Sequence, residues 1–199
     1  MEKTIKAILV DLGGVLITND IKGVSKKYEK EITKELISEI FNFIHSKKTT
    51  RAEVKNFLKE KNVKEKDWLD FLKDFYKTES RNNRLLSIIT KAKKTNKYIF
   101  VITTNNSPKT DLILKKYSLQ NIPDLVVNSS HIKALKSSPE FWKKTFKEIL
   151  KFQNKIKIGE LLVIDDSEKN IKAAEEFGAQ TIKYFPNREI DKKIGEILN

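Results

Sequence analysis

A chain of 199 residues is long enough for one well-buried core, or one core carrying a sizeable insert, but short for two independent domains. It has no cysteine, which excludes disulfides, thiolate nucleophiles and cysteine-ligated zinc together and matches a reducing, cytoplasmic setting. The formal net charge of +13 invites a nucleic-acid partner, yet only Arg51, Arg81, Arg84 and Arg188 among the 40 basic residues are arginine, and the lysines are scattered rather than gathered in a stripe. A solvated lysine-rich surface is therefore expected ahead of a nucleic-acid interface.

The first apolar run, Ala7 to Val10, is far too short for a signal or membrane segment and ends at Asp11, with Gly13 and Gly14 close behind. It reads as a buried strand with a carboxylate at its carboxyl end, where open parallel sheets bind ligands. An aspartate before glycines is equally ordinary turn chemistry, so alone it decides nothing. From about residue 20 to 84 the pattern is helical, with no convincing strand. Ile37, Ile40, Phe41 and Ile44 share one face, as do Val54, Phe57 and Leu58, and then Trp68, Leu72, Phe75 and Tyr76. An all-helical insert that buries its own aromatics follows from this.

A second strand is expected over Tyr98 to Ile102, running into Thr103, Thr104, Asn105 and Asn106. Those hydroxyl and amide groups suit a phosphate oxygen, or else cap the helix expected after Pro108. Leu125 to Val127 is a third strand. Trp142, Phe146, Ile149 and Leu150 then share the face of a helix opened by Pro139. Leu161 to Ile164 is a fourth strand and delivers Asp165 and Asp166. Ile171, Ala174 and Phe177 mark a helix that Gly178 can end, before a last strand over Thr181 to Phe185. Strands alternating with helices predict an α/β fold with a parallel sheet covered on both faces. Two adjacent carboxylates at a strand end repel each other unless a cation compensates them, and hard oxygen donors suit magnesium. Three strand ends carrying such groups point to one magnesium-dependent phosphate site containing Asp11, Asp165 and Asp166.

The ordered set VDLGGVLI, VITTNN, a lysine and VIDDSEKNIKAAEEFGAQTI resembles the four motifs of the haloacid dehalogenase (HAD) superfamily, over nearly the whole chain. The resemblance implies a Rossmann-like core, residues 1–16 and 85–199, with a helical cap, residues 17–84, inserted after the first strand. It implies Asp11 as the nucleophile that forms an aspartyl-phosphate. Magnesium would be held by Asp11, the main-chain carbonyl of Gly13, and Asp166 with Asp165 in support, while Thr104 and the Asn105 main-chain amide would hold phosphoryl oxygens. The family's lysine precedes a proline; here the run is Lys136-Ser137-Ser138-Pro139, so Lys136 would serve through a two-residue offset, with Lys133 as the other candidate.

Gly13 stands where the family's phosphatases usually carry a second aspartate that protonates the leaving group and then activates water. Asp20 or another carboxylate of the insert is a candidate substitute. His45 and His131 lack the paired spacing of a zinc site and read as core or surface residues. The expected activity is a magnesium-dependent phosphatase for a small phosphorylated metabolite. Dehalogenation is disfavoured because it offers no phosphate charge for the paired acids and their cation to manage. The alternatives are a weak or inactive phosphate-binding protein and, behind it, a nucleic-acid end-processing phosphatase. No membrane association is expected, and the sequence is silent on oligomeric state.

Overall fold

In chain order the elements begin with β1 (Ala7–Asp11), β2 (Ile17–Thr18), α1 (Ile21–Lys27), α2 (Lys34–Ser46), α3 (Arg51–Glu60), α4 (Glu65–Thr78) and β3 (Ser80–Arg81). They continue through α5 (Asn83–Lys93), β4 (Ile99–Thr104), α6 (Thr110–Lys116), β5 (Leu125–Asn128), α7 (Ser129–Ile132) and α8 (Pro139–Leu150). The last are β6 (Leu161–Asp165), α9 (Glu168–Glu176), β7 (Gln180–Lys183) and α10 (Arg188–Leu198). This computed structural model describes residues 4–46, 49–106 and 110–198, and within α2 not the side chains of Asn42, His45 and Ser46. Pro108, read above as preceding a helix, lies outside the described residues.

The apolar runs form a parallel sheet of order β5-β4-β1-β6-β7. Both faces are covered, which is why the strands lack polar alternation. Ala7, Leu9, Val101, Val127 and Val163 pack toward Phe141, Trp142 and Ile149 of α8 and Ala173 and Ala174 of α9. Ile8, Val10, Phe100, Ile102 and Ile164 pack on the other side with Leu85 and Ile89 of α5, Leu114 of α6 and Ile194 of α10. After β1 the chain lays down β4 and β5 on one side, then returns to place β6 and β7 on the other. That reversal beside β1 opens a crevice at the carboxyl ends of the strands.

The ladders carry β1, β5 and β6 one residue beyond their apolar runs, to Asp11, Asn128 and Asp165, and move β4 and β7 further. β4 runs on to Thr104 because Thr103 and Thr104 still find partners in β5. β7 stops at Lys183, opposite Asp165 where β6 ends, so apolar Phe185 is no strand residue and is 56% exposed. A ladder lasts only as long as its neighbour.

The chain forms two compact units, Met1–Ile17 with Arg81–Asn199, and Thr18–Ser80. The second contains α1 to α4 and has its own core of Ile32, Ile37, Ile40, Leu58, Trp68, Phe71 and Phe75. Trp68 and Phe71 stack with ring centroids 5.2 Å apart. Tyr76, expected on that apolar face, lies at its margin and is 50% exposed. Thr50 and Glu53 close a reciprocal capping box at the start of α3. Among the described residues, no helix is long and apolar enough to cross a membrane.

Candidate metal and phosphate site

Register decides which polar side chains meet. Asp11 is level with Thr103 across β1 and β4, and Val10 is level with Ile164 across β1 and β6. Since side chains alternate along a strand, Asp11, Thr103 and Asp165 fall on the face that also carries Leu9, Val101 and Val163. Lys136 reaches the same face from the segment between α7 and α8. That segment starts with Lys133 in the left-handed region (φ 53°), which leaves Lys133 exposed and turns the chain back.

The Lys136 backbone is pinned at both ends. Its N–H donates to Asn105 Oδ1 at 3.0 Å, and its carbonyl accepts from Trp142 Nε1 at 2.7 Å. The side chain is 1% exposed. Its Nζ lies 2.5 Å from Asp11 Oδ1 and 2.7 Å from Asp165 Oδ2, and donates to the Thr103 carbonyl at 3.4 Å. Of the two lysine candidates, the structure brings Lys136 to the carboxylates.

The three carboxylates differ in how fully their oxygens are engaged. Asp165 Oδ1 accepts from Ser167 N at 2.9 Å and Asn170 Nδ2 at 3.0 Å, while Oδ2 accepts from Lys136 and from Asn170 at 3.2 Å. Asp11 Oδ1 takes Lys136 and the Leu12 amide, the latter at 2.7 Å. Asp166 keeps solvent exposure at the rim. Room for it comes from Gly14, which sits at φ +81°, where a Cβ would come within 2.2 Å of Asp166 Oδ2. Glycine is required there twice over, by backbone angle and by close approach.

Asp11, Asp165 and Asp166 each offer an oxygen, all within 4.8 Å of one another. Among the described residues, the Lys136 ammonium faces this trio. Burial, with repulsion from Asp165 and Asp166, pushes the Asp11 carboxyl up to about 8 despite Lys136. Asp166 is also raised, by loss of water around its carboxylate and then by the Asp165 charge. Burial acts to lower Lys136, but Asp11 and Asp165 together outweigh it and hold the ammonium above its usual range. Full ionisation of the trio would therefore leave surplus negative charge, which the metal-free site avoids by holding a proton and a divalent cation such as magnesium would offset through these hard oxygen donors. Asp11 and Asp166, less committed to hydrogen bonds than Asp165, are the better placed to ligate it.

Thr104 is buried at the end of β4, on the opposite face from Thr103. Asn105 is half-buried, with its side-chain oxygen taken by Lys136. Gly13 is exposed, and a Cβ there would meet nothing within 4 Å. Asp20 caps α1, accepting from Gly23 N at 2.9 Å, so its carboxylate already has a structural task in the helical unit. His131 is exposed on α7. Sequence reasoning overlooked the roles of Thr103, Trp142 and Asn170. Asn170 alone left a local signal, since five residues beyond Asp165 is the first turn of the following helix; Trp142 read simply as core.

The family model for haloacid dehalogenase-like hydrolases matches residues 8–184. No curated protein matches the chain. Among solved structures, a HAD family enzyme of Bacteroides thetaiotaomicron in its magnesium complex is similar, with 26% identity, a TM-score of 0.63, and coverage of 93% of this chain and 94% of that one. A HAD phosphatase from Thermococcus onnurineus shares the fold at 18% identity and a TM-score of 0.57, covering 92% of this chain and 87% of that one.

Proposed function

The chain belongs to the haloacid dehalogenase-like hydrolase family, and from that premise we propose that it is a magnesium-dependent phosphatase for a small phosphorylated metabolite. The observation that carries this reading is the trio of carboxylates within 4.8 Å at two strand ends, with buried Lys136 paired to Asp11 and Asp165. The similarity to an enzyme crystallised with magnesium supports the choice of cation.

In this reading Lys136 and the Leu12 amide hold Asp11 Oδ1, which orients the carboxylate and leaves Oδ2 to attack phosphorus. An Oδ2–P bond forms as the bond from phosphorus to the ester oxygen breaks, and that oxygen leaves with the electron pair and takes a proton from water, since position 13 offers no carboxylate. Water then attacks the phosphorus of the aspartyl-phosphate and restores Asp11. The Thr103 hydroxyl, buried on the Asp11 face without a hydrogen-bond partner among the described residues, and the Asn105 main-chain amide hold the phosphoryl oxygens, whereas Thr104, expected in that role, lies on the opposite face. Lys136 favours the ionised form of Asp11 before attack. Asp11 and Asp166, with Asp165 and the Gly13 carbonyl in support, would hold magnesium, which would supply positive charge to offset that of the phosphate dianion and the anionic nucleophile. The helical insert, residues 17–84 as read from the sequence, sets substrate choice, and the protein works in the cytoplasm.

A second reading, a weak or inactive phosphate-binding protein, draws on two observations: position 13 offers no carboxylate, and Asp20 is engaged as a helix cap. The deciding experiment is a panel of phosphate esters with and without magnesium, run beside Asp11→Asn. Turnover that requires both magnesium and Asp11 supports the phosphatase. Turnover undiminished in Asp11→Asn overturns it, and magnesium-dependent phosphate binding without turnover favours the second reading.

A further inference from the structure

Behind the carboxylates lies a buried polar cluster for which the proposed chemistry has no role. Tyr184, just past β7, is 2% exposed. Its main-chain N–H donates to the Asp165 carbonyl at 2.8 Å, at the end of β6. Its hydroxyl accepts from Asn82 Nδ2 at 2.6 Å and donates to Asp191 Oδ1 at 3.0 Å. Asp191 is itself buried and takes Arg84 on its other oxygen at 3.2 Å. Burial, then the hydrogen bond to Asp191, pushes the Tyr184 phenol up to about 12 even though the Asn82 contact acts in the other direction. The hydroxyl therefore remains a proton donor.

Asn82 carries the connection forward. Its Nδ2 also donates to the Val15 carbonyl at 3.0 Å, and its main-chain N–H donates to the Leu16 carbonyl at 2.9 Å. Its Oδ1 caps α5, accepting from Leu85 N at 3.2 Å. Val15 and Leu16 belong to the turn that begins at Asp11. That turn is closed by Ile17 N to the Leu12 carbonyl at 2.8 Å and Gly14 N to the Ile17 carbonyl at 2.7 Å. Leu12, Val15, Leu16 and Ile17 sink the turn into the core, but Gly13 and Gly14 between them have no side chains, so the position of that segment depends also on what the turn's carbonyls and amides bind. Tyr184 thus grips the strand end bearing Asp165 with its backbone and, through Asn82, the turn bearing Gly13 and Gly14 with its side chain.

We propose that Asn82 and Tyr184 are positioning residues, a clamp that sets the separation between the Asp11 turn and the Asp165-Asp166 strand end. Partners behind a metal site hold its ligands in place, and their loss typically costs about 10- to 100-fold in affinity. The inference rests on the metal site read above, but the clamp is a property of the metal-free chain as well.

Two variants test it in the full chain. Tyr184→Phe deletes only the hydroxyl. Asn82→Asp keeps an oxygen to cap α5 but loses the side-chain N–H that Val15 and Tyr184 receive. Amide hydrogen exchange of the metal-free protein and magnesium affinity by calorimetry are the two readouts. Exchange at Gly14, Leu16 and Ile17 should quicken about tenfold or more relative to β4, with magnesium affinity falling about tenfold. Wild-type behaviour in both readouts, or loosening spread evenly over β1, β4 and β6, overturns the clamp. If Tyr184→Phe does not fold, Asn82→Asp decides on the same readouts. If wild type binds no magnesium, the metal reading fails separately, and the exchange pattern decides for or against the clamp.

Discussion

Asp11→Asn in the metal-free protein should raise stability, and should do so more at pH 8 than at pH 5. The Asp11 carboxyl is raised from 3.8 to about 8 in the fold, by burial and then by the repulsion of its neighbours. Between those values the folded chain retains a proton that the unfolded chain has released. A raised carboxyl contributes stability in full below 3.8 and loses it as pH rises toward 8. The slope is about 1.4 kcal/mol per pH unit, so three units from pH 5 to 8 set an upper limit of about 4 kcal/mol. Water entry and proton sharing with Asp166 reduce this to roughly 2–4 kcal/mol. Asparagine keeps the shape and an oxygen for Lys136 but has nothing to ionise.

The assay is chemical denaturation in chelator at several pH values, in a Trp68→Phe background. Trp142 is then the sole tryptophan and reports on the unit that holds the carboxylates. Excess magnesium at pH 8 should restore wild type and leave Asp11→Asn unchanged, since only the state that binds the ion is stabilised. A flat wild-type profile, or an undiminished slope in Asp11→Asn, would refute the assignment of the retained proton to Asp11.

Lys136→Met removes the cation shared by two buried carboxylates and should cost about 3–5 kcal/mol at pH 8, with a smaller loss at pH 5 where the acids can take up protons. Equal denaturation midpoints for variant and wild type at pH 8 would contradict the buried pairing. Gly14→Ala places a Cβ 2.2 Å from Asp166 Oδ2 at a positive φ, so strain of about 1–2 kcal/mol and roughly tenfold weaker magnesium binding are expected by calorimetry. Unaltered affinity would mean that Asp166 is no ligand. Gly13→Asp enters open space and should fold normally. If a general acid is all the site lacks, alkyl phosphate hydrolysis should rise about tenfold or more with magnesium affinity little changed, and no gain in a folded, metal-binding variant would refute that.

The α/β fold class was legible because burying a sheet on two faces imposes continuous apolar runs, and chain-order alternation with helices imposes parallel strands. Asp11, Asp165 and Asp166 stood out for a related reason: each directly follows such a run or its first carboxylate, so local pattern alone puts them at strand ends. Local pattern carries no ladder register and no strand order, so the end of β7 and the exposure of Phe185 waited on the position of β6. Lys136 and Lys133 are indistinguishable as letters. What separates them is a left-handed turn at Lys133 and two bonds to the Lys136 backbone, from Trp142 six residues away and to Asn105 thirty-one residues away. Tyr184 and Asn82 are 102 residues apart, and neither has a periodicity or motif that announces the other. A sequence determines directly the burial and direction of side chains along one element, because those repeat with its backbone geometry. Which polar groups complete one another across the molecule is decided only when distant segments fold together, since hydrogen-bond complementarity has no period along the chain.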